Sequence, residues 1–430
     1  MMITLPGIEI DSSTLFDSRS GAAGVARTQV SALSPRLDNL RARVQDWRRG
    51  DLTSFLHLPF RDGSREIAER AARVTEHFAR TVVLGIGGSS LGGEMLVRIQ
   101  GGATHPVHFY DNIDPSTLSE LDQFDWRTTA LLVVSKSGDT AETLVQFLGL
   151  LPRLEAELGP RLREHVQVIT ENGDGALARI ATDLGFEIVP HPPVGGRYSV
   201  LSVVGLLPAA IAGVDVAALL AGARTMAERC GHDDIEENPA FFLGAAQYLH
   251  AELGRSICIF MPYADRLRPL GLWYRQLWAE SLGKHDGTGR ARGLTPALAM
   301  GATDQHSQLQ LYLDGPDDKQ FTLVADPKLA AQGARLPLRY TDIPAAAPLA
   351  GHSAGELLLA EFRATRETLT SRGRPNRAIM LDTRNPNALG ALILLLELET
   401  VVVAELLGVN AFDQPAVEEG KILARKFLNS

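Results

Sequence analysis

Gln276 and Glu280 stand four apart in Gln276-Leu-Trp-Ala-Glu280-Ser-Leu-Gly283-Lys284, a spacing that places both on one face of a helix. Trp273, Leu277 and Trp278 surround them with apolar surface. Such surroundings disfavour a charged carboxylate and raise its basicity, as a general base requires. A glutamate on a solvated helix face fits the same letters. In Gly195-Gly196-Arg197-Tyr198-Ser199 the paired glycines let the backbone approach a ligand, and Arg197 offers a planar, permanently charged donor fork. His306, in Thr303-Asp304-Gln305-His306-Ser307, is one of 11 histidines and reads either as a proton donor and acceptor or as a capped helix start. Lys421, near the start of a final helix, reads from its surroundings only as a solvated charge.

A second chemistry lies in Val133–Thr143, V-V-S-K-S-G-D-T-A-E-T. β-formers end abruptly in Ser135, Lys136, Ser137, Gly138 and Thr140, and helix-favouring residues follow. A strand, a hydroxyl-rich turn and a helix start bring unpaired backbone N–H groups and a positive dipole end to one place, which favours an anion. Phosphate uses that many donors best. No Mg²⁺-ligating pattern accompanies the turn, so a sugar phosphate suits it better than a nucleoside triphosphate. An ordinary turn with a hydroxyl cap is the competing reading.

Gly85-Ile-Gly87-Gly88-Ser89-Ser90-Leu91-Gly92-Gly93 also follows a strand and precedes a helix. It is not a dinucleotide fingerprint, because Ser90 occupies the sixth position where glycine or alanine is needed, and Asp111 is therefore a decoy for the ribose acid. Gly283-Lys284-His285 lacks the upstream glycine and the hydroxyl residue of a P-loop. What remains is a turn in which backbone and Ser89 can approach a small ligand.

The elements that must hold these residues follow a pattern: Thr81–Leu84, Val107–Tyr110, Ala130–Val134, Val166–Thr170 and Glu187–Val189 read as short strands alternating with helices. That alternation predicts βαβ units and a mostly parallel sheet covered on both faces. A second alternation begins at Ile257–Met261 and continues through a helix at Leu267–Leu282 and strands at Gln320–Val324 and Arg377–Leu381. Ser353 and Glu356 form a capping box, and residues up to about Gly50 read as amphipathic helix. The two similar halves suggest an internal duplication. Val200–Ala223 and Leu389–Val409 are apolar, but Pro208 and Asp215 in the first and Glu397, Glu399 and Glu405 in the second mark them as buried core helices, not membrane spans.

The 430 residues carry a net charge of -9, with 42 Lys and Arg scattered along the chain, which argues against a nucleic-acid partner. Cys230 and Cys258 form no disulfide framework and no metal-ligand spacing. Two buried thiols in a reducing cytoplasm are expected, and no export signal opens the sequence.

Together and in this order, G-I-G-G-S, S-K-S-G-D-T, G-G-R-Y-S, A-E-S-L-G-K, D-Q-H-S and F-D-Q-x-x-V-E-x-x-K resemble the glucose-6-phosphate isomerase family in its short bacterial form, from about Thr81 to Lys421. The resemblance implies an α/β fold of two sugar-isomerase domains with flavodoxin-like sheets. Residues 1–50 would be a helical extension, 51–225 and 226–404 the two domains, and 405–430 a helical tail carrying Lys421. It implies a cytoplasmic homodimer with shared active sites, a hexose 6-phosphate substrate, no metal or organic cofactor, and no membrane partner. Carried over by position, Ser89, Ser135, Ser137 and Thr140 would hold the phosphate with Lys136 close by, and Gly88 would belong to the substrate-binding set. Glu280 would move a proton between the first two sugar carbons. His306, reaching in from the neighbouring subunit with Glu142 as its carboxylate partner, would open the ring, a task to which Lys421 is also suited. Arg197 would face the enediolate, and Gln276, Gln414 and Lys421 would add sugar contacts. Asp304, Pro415 and Ala416 depart from the family pattern and put local loop geometry in question, not the reacting groups. A catalytically silent sugar-phosphate sensor and an isomerase that also accepts mannose 6-phosphate are the alternatives to the glucose 6-phosphate and fructose 6-phosphate reaction.

Overall fold

A computed structural model describes residues 2–16, 24–49, 54–61 and 63–430. The described residues form thirteen strands in two large sheets and one small hairpin. The first sheet comprises β3 (Arg80–Leu84), β4 (Val107–Tyr110), β5 (Thr129–Val134), β6 (Val166–Thr170) and β7 (Glu187–Pro190), all parallel in the order β4-β3-β5-β6-β7. Its central strand β5 is buried along its whole length, which explains a continuous apolar run in place of alternation.

The second sheet repeats the plan. Strands β8 (Ile257–Tyr263), β11 (Thr295–Leu298), β12 (Lys319–Ala325) and β13 (Asn376–Leu381) are parallel in the order β11-β8-β12-β13. Both sheets therefore share the arrangement second-first-third-fourth, which gives the suggested duplication a topological basis. The small hairpin is β9 (Lys284–His285) with β10 (Ala291–Arg292).

The first residues depart from the helical expectation. Met2–Leu5 and Ile8–Asp11 are strands β1 and β2, an antiparallel hairpin whose second strand pairs with β13. Ile3, Ile8 and Ile10 alternate with polar residues and are buried, a period of two that marks strand and not helix. Helices Arg27–Ala32 and Asp38–Arg49 follow. The apolar stretch 200–223 also differs from a single helix. It divides into Val203–Ile211 and the start of Val216–Arg229, because Gly213 turns the chain at a left-handed φ of 85° and Asp215 caps the second helix through Ala218 N–H.

One continuous core joins the facing sides of the two sheets through the intervening helices, and each sheet has a second core on its outer face. Pro386–Leu407 is buried nearly all round, as a central helix must be. Glu399 is tolerated there by a buried pair with Arg377 at 2.8 Å. Glu397 is fully buried, and neither of its carboxylate oxygens is hydrogen-bonded among the described residues. No helix among the described residues is long and apolar enough to cross a membrane. Cys230 and Cys258 are both buried, and neither is in a disulfide.

Candidate active site

The strand order of the first sheet places a topological switch point between β3 and β5, whose connections leave in opposite directions and open a crevice at the carboxyl ends. Leu84 of β3 is in register with Val133 of β5. The turns that follow, residues 85–90 and 135–140, consequently lie side by side, and these are the two stretches singled out for ligand approach.

In the second turn the Ser135 hydroxyl donates to Thr140 Oγ1 at 2.9 Å and accepts from Gly138 N–H at 3.2 Å. Gly138 sits at φ 75°, a conformation that costs a glycine little. Thr140 begins helix Ala141–Leu158 without capping it by its side chain. Helix Leu91–Gln100, after the first turn, likewise has no side-chain cap at Ser90, and the Ser90 hydroxyl is buried without a partner among the described residues. Two adjacent helix starts thus leave N–H donors for an anion. Lys136 pairs with Glu171 at 3.6 Å.

The glycine-rich turn touches the next component directly. A Cβ on Gly88 would stand 2.3 Å from the carbonyl carbon of Gly196, so only glycine lets these two turns pack. Arg197 follows, almost wholly buried. Its Nε donates to Ser281 Oγ at 2.8 Å, Nη1 to Glu280 Oε2 at 3.1 Å and to Gln414 Oε1 at 2.8 Å, and Nη2 to the carbonyls of Ala411 at 2.6 Å and Asp413 at 3.0 Å. A guanidinium has five N–H donors, and here each one is used. Glu280 is held from its other side by Gln276 Nε2 at 3.0 Å. That same Nε2 would lie 3.1 Å from a Cβ on Gly87, so Gln276 links Glu280 to the glycine-rich turn that lies beside residues 135–140.

The surroundings of Glu280 correct the apolar picture. Trp273, Leu277 and Trp278 are buried in the core, while the carboxylate meets a guanidinium and an amide on the opposite, part-exposed side of helix Arg268–Leu282. Spacing identifies the shared face of Gln276 and Glu280 but not which neighbours line it. Ser281, Tyr198 and Lys284 receive no role from the sequence, although all three lie inside the quoted motifs. Lys284 pairs with Asp413 at 3.0 Å and donates to the Asn410 carbonyl, tying down the loop that wraps Arg197. Burial pulls its ammonium below the ordinary lysine range, opposed by the Asp413 hydrogen bond.

Three expected residues make no hydrogen bond or ion pair with Arg197 or Glu280 among the described residues. His306 is exposed at the end of the turn Thr303–Gln305, and its ring has no hydrogen-bond partner among the described residues. Glu142 is part-exposed in the first turn of helix Ala141–Leu158. Lys421 is exposed on helix Val417–Leu428, paired with Glu418 at 2.7 Å, and that helix buries none of its residues. The departure at Asp304 has a local reason: its carboxylate accepts from Met300 N–H at 2.6 Å and from the Ser307 hydroxyl at 2.6 Å, closing the turn that carries His306.

Known proteins match this architecture. A family model described as phosphoglucose isomerase matches residues 68–430. The glucose-6-phosphate isomerase of Rubrobacter xylanophilus is 42% identical over 435 residues, covering 96% of this chain and 96% of that protein. A Thermus thermophilus enzyme of the same name is 38% identical over 403 residues, covering 93% and 96%. A solved structure of a Thermus thermophilus protein described as hypothetical superposes with a TM-score of 0.87 at 35% identity, covering all of both chains. The Chlamydia trachomatis glucose-6-phosphate isomerase shares the fold, with a TM-score of 0.83 at 21% identity, covering 100% of this chain and 89% of that one. Fold and switch-point site define an α/β protein of the sugar-isomerase class, with two mostly parallel sheets flanked by helices. Within that class, the chain belongs to the phosphoglucose isomerase family.

Proposed function

We propose that this protein interconverts glucose 6-phosphate and fructose 6-phosphate through ring opening and a cis-enediolate intermediate. The observation that carries the reading is the contact of the Arg197 guanidinium with the Glu280 carboxylate beside the β3/β5 crevice. Aldose–ketose isomerisation needs one proton moved between adjacent carbons, so a single carboxylate over one face of an open sugar serves both halves. Glu280 takes that role. Negative charge develops on oxygen during the transfer, and the fixed guanidinium of Arg197 stabilises it. Because each Arg197 donor is already used, a sugar oxygen gains Nη1 only by displacing Gln414 or Glu280 from it.

The phosphate end lies at the other side of the crevice. Ser89, Ser135, Ser137, Thr140 and the uncapped helix starts hold it with Lys136 nearby, and Gly88 gives room. This grip fixes the register of the sugar against Glu280. Gln276 and Gln414 contact the sugar.

Ring opening is assigned to His306 and Lys421, with His306 supplied across the boundary of a homodimer and Glu142 as its carboxylate partner. The exposed His306 supports shared sites. So do exposed apolar side chains at Leu338, Tyr340, Ile422, Phe427 and Leu428, which a second copy would cover. The reaction is placed in the cytoplasm, in keeping with two buried cysteines that form no disulfide. A coupled assay of purified protein with fructose 6-phosphate tests the proposal: turnover by a dimer is expected, and its absence refutes it.

A further inference from the structure

We infer that Ser281 and Tyr198 are positioning residues that set the plane of the Arg197 guanidinium against Glu280. The inference rests on the role proposed above for that pair and adds residues that neither touch the substrate nor titrate in the reaction.

Ser281 is the residue directly after Glu280, on the buried side of the same helix. One helical step therefore grips one guanidinium at two points, Nε through Ser281 Oγ at 2.8 Å and Nη1 through Glu280 Oε2 at 3.1 Å. Two anchors on a planar group fix its rotation, which one anchor cannot do.

The Ser281 hydroxyl must accept from Arg197 Nε, so its own hydrogen is free to be given. Tyr198 Oη lies 3.0 Å away, and the Ala411 carbonyl, which can only accept, lies 3.4 Å from Tyr198 Oη. The assignment that satisfies every group runs from Arg197 Nε–H to Ser281, from Ser281 O–H to Tyr198, and from Tyr198 O–H to the Ala411 carbonyl. That carbonyl also accepts from Arg197 Nη2 at 2.6 Å. The four residues close a ring of hydrogen bonds that begins and ends on one guanidinium. In a buried setting such a ring strengthens itself, and an unmatched member is costly.

Tyr198 is held for this task. Its ring stacks on Phe55 at 4.9 Å and leans on Phe412 at 5.4 Å. Burial pushes its phenol up to about 12, so it remains a donor at neutral pH. A Tyr198→Phe change keeps both ring contacts and removes only the hydroxyl.

The test is a set of single and paired variants assayed with fructose 6-phosphate. Ser281→Ala leaves a buried Nε–H without an acceptor, and kcat is expected to fall about 10- to 100-fold with KM changed less than about 3-fold. Ser281→Thr, which restores a hydroxyl, is expected to recover part of the loss. Tyr198→Phe is expected to cost about 3- to 10-fold in kcat. Because both residues act through Arg197, adding Ser281→Ala to an Arg197→Lys enzyme is expected to cost almost nothing further. An undiminished kcat in Ser281→Ala overturns the inference, and so does a full additional loss in the Arg197→Lys background. A crystal structure of Ser281→Ala reads the geometry whether or not the protein turns the sugar over. The guanidinium is expected to leave Glu280, and a guanidinium still in place refutes positioning. Failure of wild-type turnover, in contrast, overturns the proposed reaction and leaves this geometric test standing.

Discussion

Arg197 Nη1 lies 3.1 Å from Glu280 Oε2, with the arginine side chain 1% and the glutamate side chain 34% exposed. A cation sunk in the protein thus presents one edge to a carboxylate that solvent can still reach. A permanent cation and a carboxylate are brought to one point, and the residues that build that point come from three separate parts of the chain.

Replacing Glu280 by Gln keeps the shape and the Gln276 contact but removes the proposed base. Activity with fructose 6-phosphate is expected to drop roughly 100- to 10,000-fold, while the dissociation constant for the sugar phosphate, read by calorimetry, changes only a few-fold. Simultaneous loss of binding would identify Glu280 as structural.

Arg197→Lys substitutes a point charge for a fork that makes five hydrogen bonds. An expected kcat loss of about 100-fold should come with a lower melting temperature, since the carbonyls of Ala411 and Asp413 and the Gln414 amide lose their donors. Retention of both activity and melting temperature is the outcome that contradicts this.

Ser135→Ala and Thr140→Ala each remove a hydroxyl from the turn proposed to hold phosphate. Hydrogen bonds to a charged group contribute about 1.5–3 kcal/mol, so KM should rise about 10-fold or more with kcat much less affected. Inhibition by inorganic phosphate should weaken in parallel. An unchanged KM in both variants would move the phosphate site elsewhere.

Gly88→Ala places a methyl group 2.3 Å from Gly196. The two turns must part, at a cost of about 1–3 kcal/mol, and Arg197 moves with Gly196. Chemical unfolding of Gly88→Ala should show that deficit together with a fall in kcat, and a variant of wild-type stability would mean the turns are not packed as described.

Glu397 gives a pH-dependent prediction. Burial is what holds its carboxyl well above the ordinary range of about 4.3, and Glu397 in turn helps to raise the phenol of Tyr198. A group with a raised folded pKa contributes stability that is complete below its unfolded value and is lost as pH rises toward the folded one. Each pH unit in that window costs about 1.4 kcal/mol. Thermal unfolding of Glu397→Gln between about pH 4 and 8 should therefore show the variant gaining on the wild type as pH rises. A constant difference would place a charge partner beside Glu397.

Strands β3 to β7 are legible in the sequence because parallel strands buried on both faces are short apolar runs between helices, and the Ser353 and Glu356 capping box forms as spaced. The four-residue interval of Gln276 and Glu280 fixes their common face. Contacts between distant segments leave no such local mark. Nothing in Gly88 alone reveals that Gly196 will lie against it, and nothing near Arg197 reveals that Ala411, Asp413 and Gln414 will close around it from more than 200 residues away. Residues 2–11 read as helix because two four-residue strands are too short for their alternation to outweigh the helical pattern that follows.

Proton transfer by Glu280 is tested most directly by conversion of fructose 6-phosphate in D₂O followed by proton NMR. Wild-type protein is expected to form glucose 6-phosphate carrying solvent deuterium at the second carbon and to exchange the first-carbon proton of fructose 6-phosphate, whereas Glu280→Gln does neither while still binding the sugar. Equal deuterium incorporation by the two proteins, or conversion by Glu280→Gln at the wild-type rate, would contradict it.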